Sequence, residues 1–246
     1  VSQGVTAYFD KLQALIDTLR DEAANIDAAA AICADAIAAD GLVHVFGSGH
    51  SHMMAEEVFH RAGGLWAFNA MLDINLTSFG SLKAGMVERT EGYAKVILSS
   101  FDVKAGDAVI VVSNSGINPV PIELALDAQA LGVKTIAVTS AAAYASAKSR
   151  HSTGKKLTDV VDLTVDSRVP NGDAILNLDG LESTIGASST ALGAALMNAI
   201  VVATAEKLLE RGITPPAIVS MNVPGGDEKN AALAEKYGPR LRMMKG

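Results

Sequence analysis

Two short apolar runs each end in a glycine- and serine-rich loop that opens onto a helical pattern, and few folds accommodate that twice. In the first, Val43-His44-Val45-Phe46 runs into Gly47-Ser48-Gly49, and His50-Ser51-His52 leads into a helical stretch over residues 51–62. In the second, residues 108–112 are continuously apolar, as a strand buried on both faces should be, and are followed by Ser113-Asn114-Ser115-Gly116. A helix over 119–131 then carries Pro119 and Pro121 in its first turn, where proline costs least. Further strands are predicted over 65–71, 135–138 and 160–165, and further helices over 90–100, 141–148 and 185–211. Strands separated by helices of this length build βαβ units and a parallel sheet covered on both faces. The fold class is therefore α/β.

The flanks are helical. Phe9, Leu12, Leu15, Ile16 and Leu19 recur at three- and four-residue steps, and Ile26, Ala30, Cys33 and Ile37 continue the spacing after a break near Asn25 and Asp27. This arm either covers its own sheet or packs on a partner subunit. After the loop over 221–226, a last helix is predicted over 228–237. The simplest division is one domain over 1–246, with a helical arm (1–40), an α/β core (41–212) and a C-terminal loop and helix (213–246).

Composition limits the partners. A net charge of −7 argues against nucleic acid, which wants a basic face, but leaves phosphate ligands open because backbone amides bind them without net positive charge. The single cysteine, Cys33, excludes an intrachain disulfide framework and fits a reducing cytoplasm, the expected location. The opening residues do not read as a leader, and no run of about 18 uninterrupted apolar residues suggests a membrane anchor.

In an open parallel sheet, ligands sit beyond the carboxyl ends of the strands, where strand order reverses. Loop one (Gly47, Ser48, Gly49, His50, Ser51), loop two (Ser113, Asn114, Ser115, Gly116, Asn118) and the turn at Thr139-Ser140 all follow strands and share that edge. Glycines permit close backbone approach, and serine hydroxyls with helix-terminal amides suit an anion; an ordinary βα turn needing small residues is the alternative. No G-x-x-x-x-G-K-[ST] occurs. Gly47-x-Gly49 lacks the third glycine and the acidic residue of a dinucleotide site, so no nucleotide cofactor is expected.

These residues resemble a known family. Gly47-Ser48-Gly49-His50-Ser51, Ser113-Asn114-Ser115-Gly116-Ile117-Asn118 and Thr135-Ile136-Ala137-Val138-Thr139-Ser140 together look like the sugar isomerase (SIS) phosphosugar-binding domain, over roughly residues 40 to 210. Taken whole, the chain is most similar to single-SIS-domain proteins of about this length, a resemblance that supplies no substrate. It implies a three-layer αβα sandwich of flavodoxin-type topology with a doubly wound sheet. It also implies a sugar phosphate held by Ser113, Ser115 and Asn118, the last standing where the family usually has Ser or Thr. Ser188, in Ile185-Gly186-Ala187-Ser188-Ser189-Thr190, resembles a third family loop at the start of a long helix. The family's habit of building sites across subunits implies a homodimer or homotetramer.

Aldose–ketose isomerisation needs a base that moves a proton between C1 and C2 through an enediol. Glu57 is the first choice, one to two turns beyond loop one, with His60 on the same helix face at i, i+3 and Arg61 at i, i+4. In glucosamine-6-phosphate synthase the equivalent helix carries Glu, Lys four on and Glu three further. Glu57 and Arg61 resemble the first two, but Gly64 stands at the third, and a surface Glu57–Arg61 pair is the competing reading. His52, His151 and Glu182 are the other catalytic candidates. His151 lies in a basic loop that either caps the substrate or is simply solvated; Glu182 either approaches the sugar or caps the helix after it. His50, His52 and His60 lack metal-ligand spacing, so no metal is assigned. The expected activity is sugar-phosphate isomerisation. The alternatives are a non-catalytic phosphosugar sensor, or a deaminase or lyase acting on an amino-sugar phosphate.

Overall fold

The computed structural model describes residues 2–80 and 82–241. Five parallel strands, β1 (Val43–Gly47), β2 (Phe68–Met71), β3 (Ala108–Val112), β4 (Lys134–Thr139) and β5 (Leu163–Asp166), form one sheet in the order β2-β1-β3-β4-β5. That is the doubly wound, flavodoxin-like order, and its switch point lies between β1 and β3. Side chains alternate across the sheet. Val43, Val45, Ile110, Ile136 and Val138 pack beneath α2 (Ala23–Ala38), α3 (His52–Val58) and α7 (Ser189–Glu210). Phe46, Val109, Val111 and Ala137 face α5 (Tyr93–Leu98) and α6 (Pro119–Ala130) on the other side. The three-layer arrangement expected from the alternating pattern is thus present.

Local departures from the sequence reading each have a cause. The arm consists of α1 (Gln3–Thr18) and α2, and the tight turn between them falls at Leu19–Glu22 rather than near Asn25. Glu22 is buried there. Its carboxylate accepts from Arg168, from the Asp166 amide (3.2 Å) and from Asn25 Nδ2 (2.8 Å), so a long-range ion pair sets the break. Helix α3 stops at Val58, four residues early, because Phe59 is extended and His60 adopts φ +45. A short helix α4 (Leu82–Val87) precedes α5, where one helix over 90–100 was expected. In place of the helix expected over 141–148, residues 141–146 form turns; Lys156 Nζ donates to Ala145 O (2.7 Å) and Asp166 accepts from the Ala142 amide (3.0 Å), so side chains take up part of the backbone bonding.

The expected helix over 185–211 begins at Ser189. Ile185–Ala187 is instead strand β7, antiparallel to β6 (Ala174–Leu176), and Gly186 takes φ +82 with the Tyr8 ring against it, a conformation a helix cannot contain. α1 lies on this hairpin: Tyr8 Oη donates to Ala187 O (2.8 Å) and Lys11 Nζ to Ile175 O (2.7 Å). α7 is long and apolar enough to cross a membrane by length and composition alone. In the fold its Leu192, Leu196, Met197, Ile200 and Leu208 are buried against α2 and α3, which accounts for that apolar length as core. The C-terminal helix α8 (Gly226–Tyr237) starts two residues before the expected position.

Candidate functional site

Both Gly/Ser loops emerge at the carboxyl edge of the sheet, side by side at the switch point, because β1 and β3 pair directly (Gly47 opposite Val112). Loop one is held tightly. A Cβ on Gly47 would stand 2.2 Å from Ser51 O, so only glycine lets the chain fold back at this point, and Gly49 sits at φ +55 with its amide donating to Leu76 O (2.7 Å). Ser51 is half-buried and His50 exposed, and both line a narrow cleft with Asn114, Ser167, Ser189 and Thr190.

Loop two is also braced from within. Ser113 is buried and its Oγ accepts from the Gly116 amide (3.3 Å), while Asn114 O accepts from Ser140 N (3.0 Å) and Thr139 Oγ1 (3.2 Å). Gly116, at φ +61, brings the chain so near Thr139 that a Cβ would lie 3.0 Å from its hydroxyl. Ser115 sits half-buried between these fixed points. Pro119 and Pro121 have no N–H, and the Val120 amide already donates to Glu88 O (3.1 Å). The first turn of α6 therefore presents fewer backbone donors than an ordinary helix N-terminus.

A residue that the sequence reading missed joins the two loops. The Glu88 carboxylate, just after α4, accepts from Ser48 Oγ (2.5 Å) and Asn118 Nδ2 (2.7 Å), and Asn118 Oδ1 in turn accepts from Arg150 Nη1 (2.9 Å). Glu88 stands in a polar stretch with no periodicity, so nothing in its neighbours marked it. Ser167, beyond β5, was also missed; it is 3% exposed, and its hydroxyl has no hydrogen-bond partner among the described residues although it lines the cleft.

The remaining candidates scatter. Glu57 is turned toward α7: its Oε1 accepts from Asn198 Nδ2 (2.7 Å) and pairs with Arg61. His52 is buried and folded onto its own helix, with one ring nitrogen on Gly49 O and the other 3.2 Å from Glu56 Oε1. His60, outside the helix, meets the Trp66 ring edge-on at 5.0 Å and lines a different cavity with Ile218 and Asn230, so it shares no helix face with Glu57. Glu182 is exposed in the connection between β6 and β7. His151 lies 3.6 Å from Glu123 and is bonded to Thr153.

Ser188 is fully buried. Its amide (2.9 Å) and that of Ser189 (2.6 Å) donate to Asp173 Oδ1, so a carboxylate of the chain itself occupies the start of α7.

Comparison with known proteins points one way. A family model for the SIS domain matches residues 7–140, which contain loops one and two and Glu88 but not the Ser188 segment. A UPF0309 protein of Listeria innocua serovar 6a is 38% identical over 242 residues, covering 98% of each chain. A UPF0309 protein of Streptomyces coelicolor is 40% identical over 241 residues, covering 94% of each. Among solved structures, phosphoheptose isomerase GmhA from Neisseria gonorrhoeae is similar in fold, with a TM-score of 0.50 and 16% identity over 83% of this chain and 98% of that one.

Proposed function

We propose, from a chain that belongs to the SIS-domain family and to its UPF0309 proteins, that the crevice between loops one and two binds a sugar phosphate. The observation that carries this reading is the convergence of the two loops at the switch point of the sheet, braced by Glu88 between Ser48 and Asn118. Ser115 supplies the hydroxyl most directly offered to the phosphate. Ser115→Ala is expected to weaken binding of every sugar phosphate by a similar factor, roughly tenfold, since about 1.5 kcal/mol is lost with one hydrogen bond to a charged group. Calorimetric titration with a panel of sugar phosphates checks this, and unchanged affinities would remove loop two from the site.

The finer reading is an aldose–ketose isomerase. Of Glu57 and Glu88, Glu88 lies between the two loops and is bonded there to the neutral donors Ser48 and Asn118, whereas Glu57 is turned to Asn198 and paired with the Arg61 cation. We therefore place the proton-transfer role on Glu88 and an anchoring role on Glu57. Glu88→Gln retains shape and hydrogen bonding, so ligand binding survives while exchange of the C2 proton with solvent deuterium stops. Glu57→Gln keeps the exchange. The reverse pattern restores Glu57 as the base. The engagement of Glu57 also favours a second reading, a phosphosugar sensor, which holds if the wild type exchanges no proton of any sugar phosphate it binds.

An assembly of at least two copies belongs to the same reading. Phe79 (84% exposed), Leu82 (88%) and Met86 (72%) leave large apolar side chains in solvent on and just before α4, the helix that leads to Glu88. Sedimentation at micromolar concentration is expected to show a homo-oligomer; a monomer refutes the assembly.

A further inference from the structure

We infer a binding site for a single zinc-class divalent ion where Glu91, Glu123 and His151 meet. The three residues come from separate parts of the chain: the connection between α4 and α5, the first half of α6, and the loop that follows β4. One ligand-capable atom from each lies within 4.8 Å of the others. His151 Nε2 stands 3.6 Å from Glu123 Oε1, with side-chain exposures of only 8% and 16%. Two donors about 2.1 Å from one tetrahedral ion stand roughly 3.4 Å apart, so little movement is needed for both to share it.

Each ligand is already oriented from behind. His151 Nδ1 lies 2.7 Å from Thr153 Oγ1 and 3.3 Å from the Thr153 amide, two contacts that hold the ring in place; an ion on Nε2 takes the tautomer with the proton on Nδ1, which then donates to the Thr153 hydroxyl. Glu123 accepts from the Gly92 amide through both oxygens (2.9 and 2.7 Å), and Glu91 accepts from the amide (2.6 Å) and hydroxyl (2.9 Å) of Ser152. Outer partners of this kind fix ring orientation and carboxylate geometry in metal sites.

Charge selects the occupant. Two carboxylates face one imidazole, so a proton on His151 neutralises half of the local charge and a divalent ion neutralises all of it. An imidazole donor favours zinc and its neighbours over magnesium or calcium, which prefer oxygen throughout. With three protein ligands the remaining coordination is left to water. The ion would clamp the 150–153 segment, whose Arg150 reaches loop two through the Ile117 carbonyl (2.8 Å) and Asn118 Oδ1 (2.9 Å).

The test is calorimetric titration of the chelator-treated full chain with zinc chloride, and with magnesium chloride in parallel, with metal content read by mass spectrometry after dialysis. The expected result is one zinc per chain and no magnesium at the same concentration. Thr153→Val, which keeps all three ligands, should weaken zinc roughly 10–100-fold, the usual effect of losing an outer partner. His151→Gln, with folding checked by circular dichroism, should abolish it, and His60→Gln should leave it unchanged. Equal zinc affinity in wild type and His151→Gln, or equal loss in His60→Gln, overturns the site.

Discussion

Asp107→Ala is expected to lower the unfolding free energy by about 3–5 kcal/mol, the usual cost of removing one partner from a buried charged network. Asp107 precedes β3 and is 3% exposed. Its carboxylate accepts from the amides of Leu42 (2.8 Å) and Lys104 (3.0 Å), from His44 Nε2 (3.2 Å) and from Arg240 Nη2 (2.7 Å). Asn69 Nδ2 donates to His44 Nδ1 (2.9 Å), which fixes the tautomer and leaves Nε2–H for Asp107. The variant strands a buried imidazole, an arginine and two amides at once. Burial alone would raise the Asp107 carboxyl, but the bonds from His44, Arg240 and the two amides outweigh it and hold the group well below the usual carboxylate range. A folded-state value below the unfolded one means that this stabilisation is complete above about pH 4 and is lost as pH falls below it. Urea denaturation at pH 7 and pH 3 checks both statements: the difference between wild type and variant should shrink at the lower pH. An equal difference at both, or one under about 1 kcal/mol at pH 7, would show that the network is solvated and weak.

Gly47→Ala is expected to remove sugar-phosphate binding outright. The added Cβ meets backbone, Ser51 O at 2.2 Å and Ser51 C at 2.4 Å, with no flexible side chain to yield, so loop one and the first turn of α3 must shift. Overpacking of this kind costs about 1–3 kcal/mol of stability, and the same shift moves Ser48 away from Glu88. Gly49→Ala supplies the contrast. Its Cβ would meet nothing within 4 Å, and only its φ of +55 is unfavourable, a cost of about 1–2 kcal/mol without displacement of the turn. Thermal unfolding together with ligand titration separates the two. If both variants retain binding equally, the clash at Gly47 is relieved by a route that leaves loop one in place.

The sheet was legible because buried parallel strands leave a plain mark. Residues 108–112 and 43–46 are apolar at every position but His44, and each strand ends in small residues. The order of strands followed from the family resemblance. Helix ends were less legible, since they depend on distant partners: Glu22 tightens the arm through Arg168, and Tyr8 packs on the Gly186 turn that precedes α7. In the candidate site, both loops could be read from glycine and serine clustering, yet Glu88 could not. Its significance lies in Ser48 and Asn118, 40 and 30 residues away, and appears only when β1 and β3 are paired. Ser188 depends on a distant partner in the same way: the family resemblance suggested a ligand-binding loop there, and the structure sets the Asp173 carboxylate, 15 residues earlier, against its amide and hydroxyl.

The two prolines at the start of α6 have a consequence for how such a crevice can change. Backbone amides are present whatever the side chain, so an anion site made of amides survives most point substitutions. Here Pro119 and Pro121 withhold amides, so on the proposed reading recognition would rest on Ser115 and the hydroxyls around it. Each is a single codon from loss or replacement, while the glycines and the sheet beneath them hold the scaffold fixed. Exchanges at half-buried Ser115 can therefore shift affinity and ligand preference at little cost to folding, whereas Asn118, buried and bonded to Glu88 and Arg150, is tied to the scaffold.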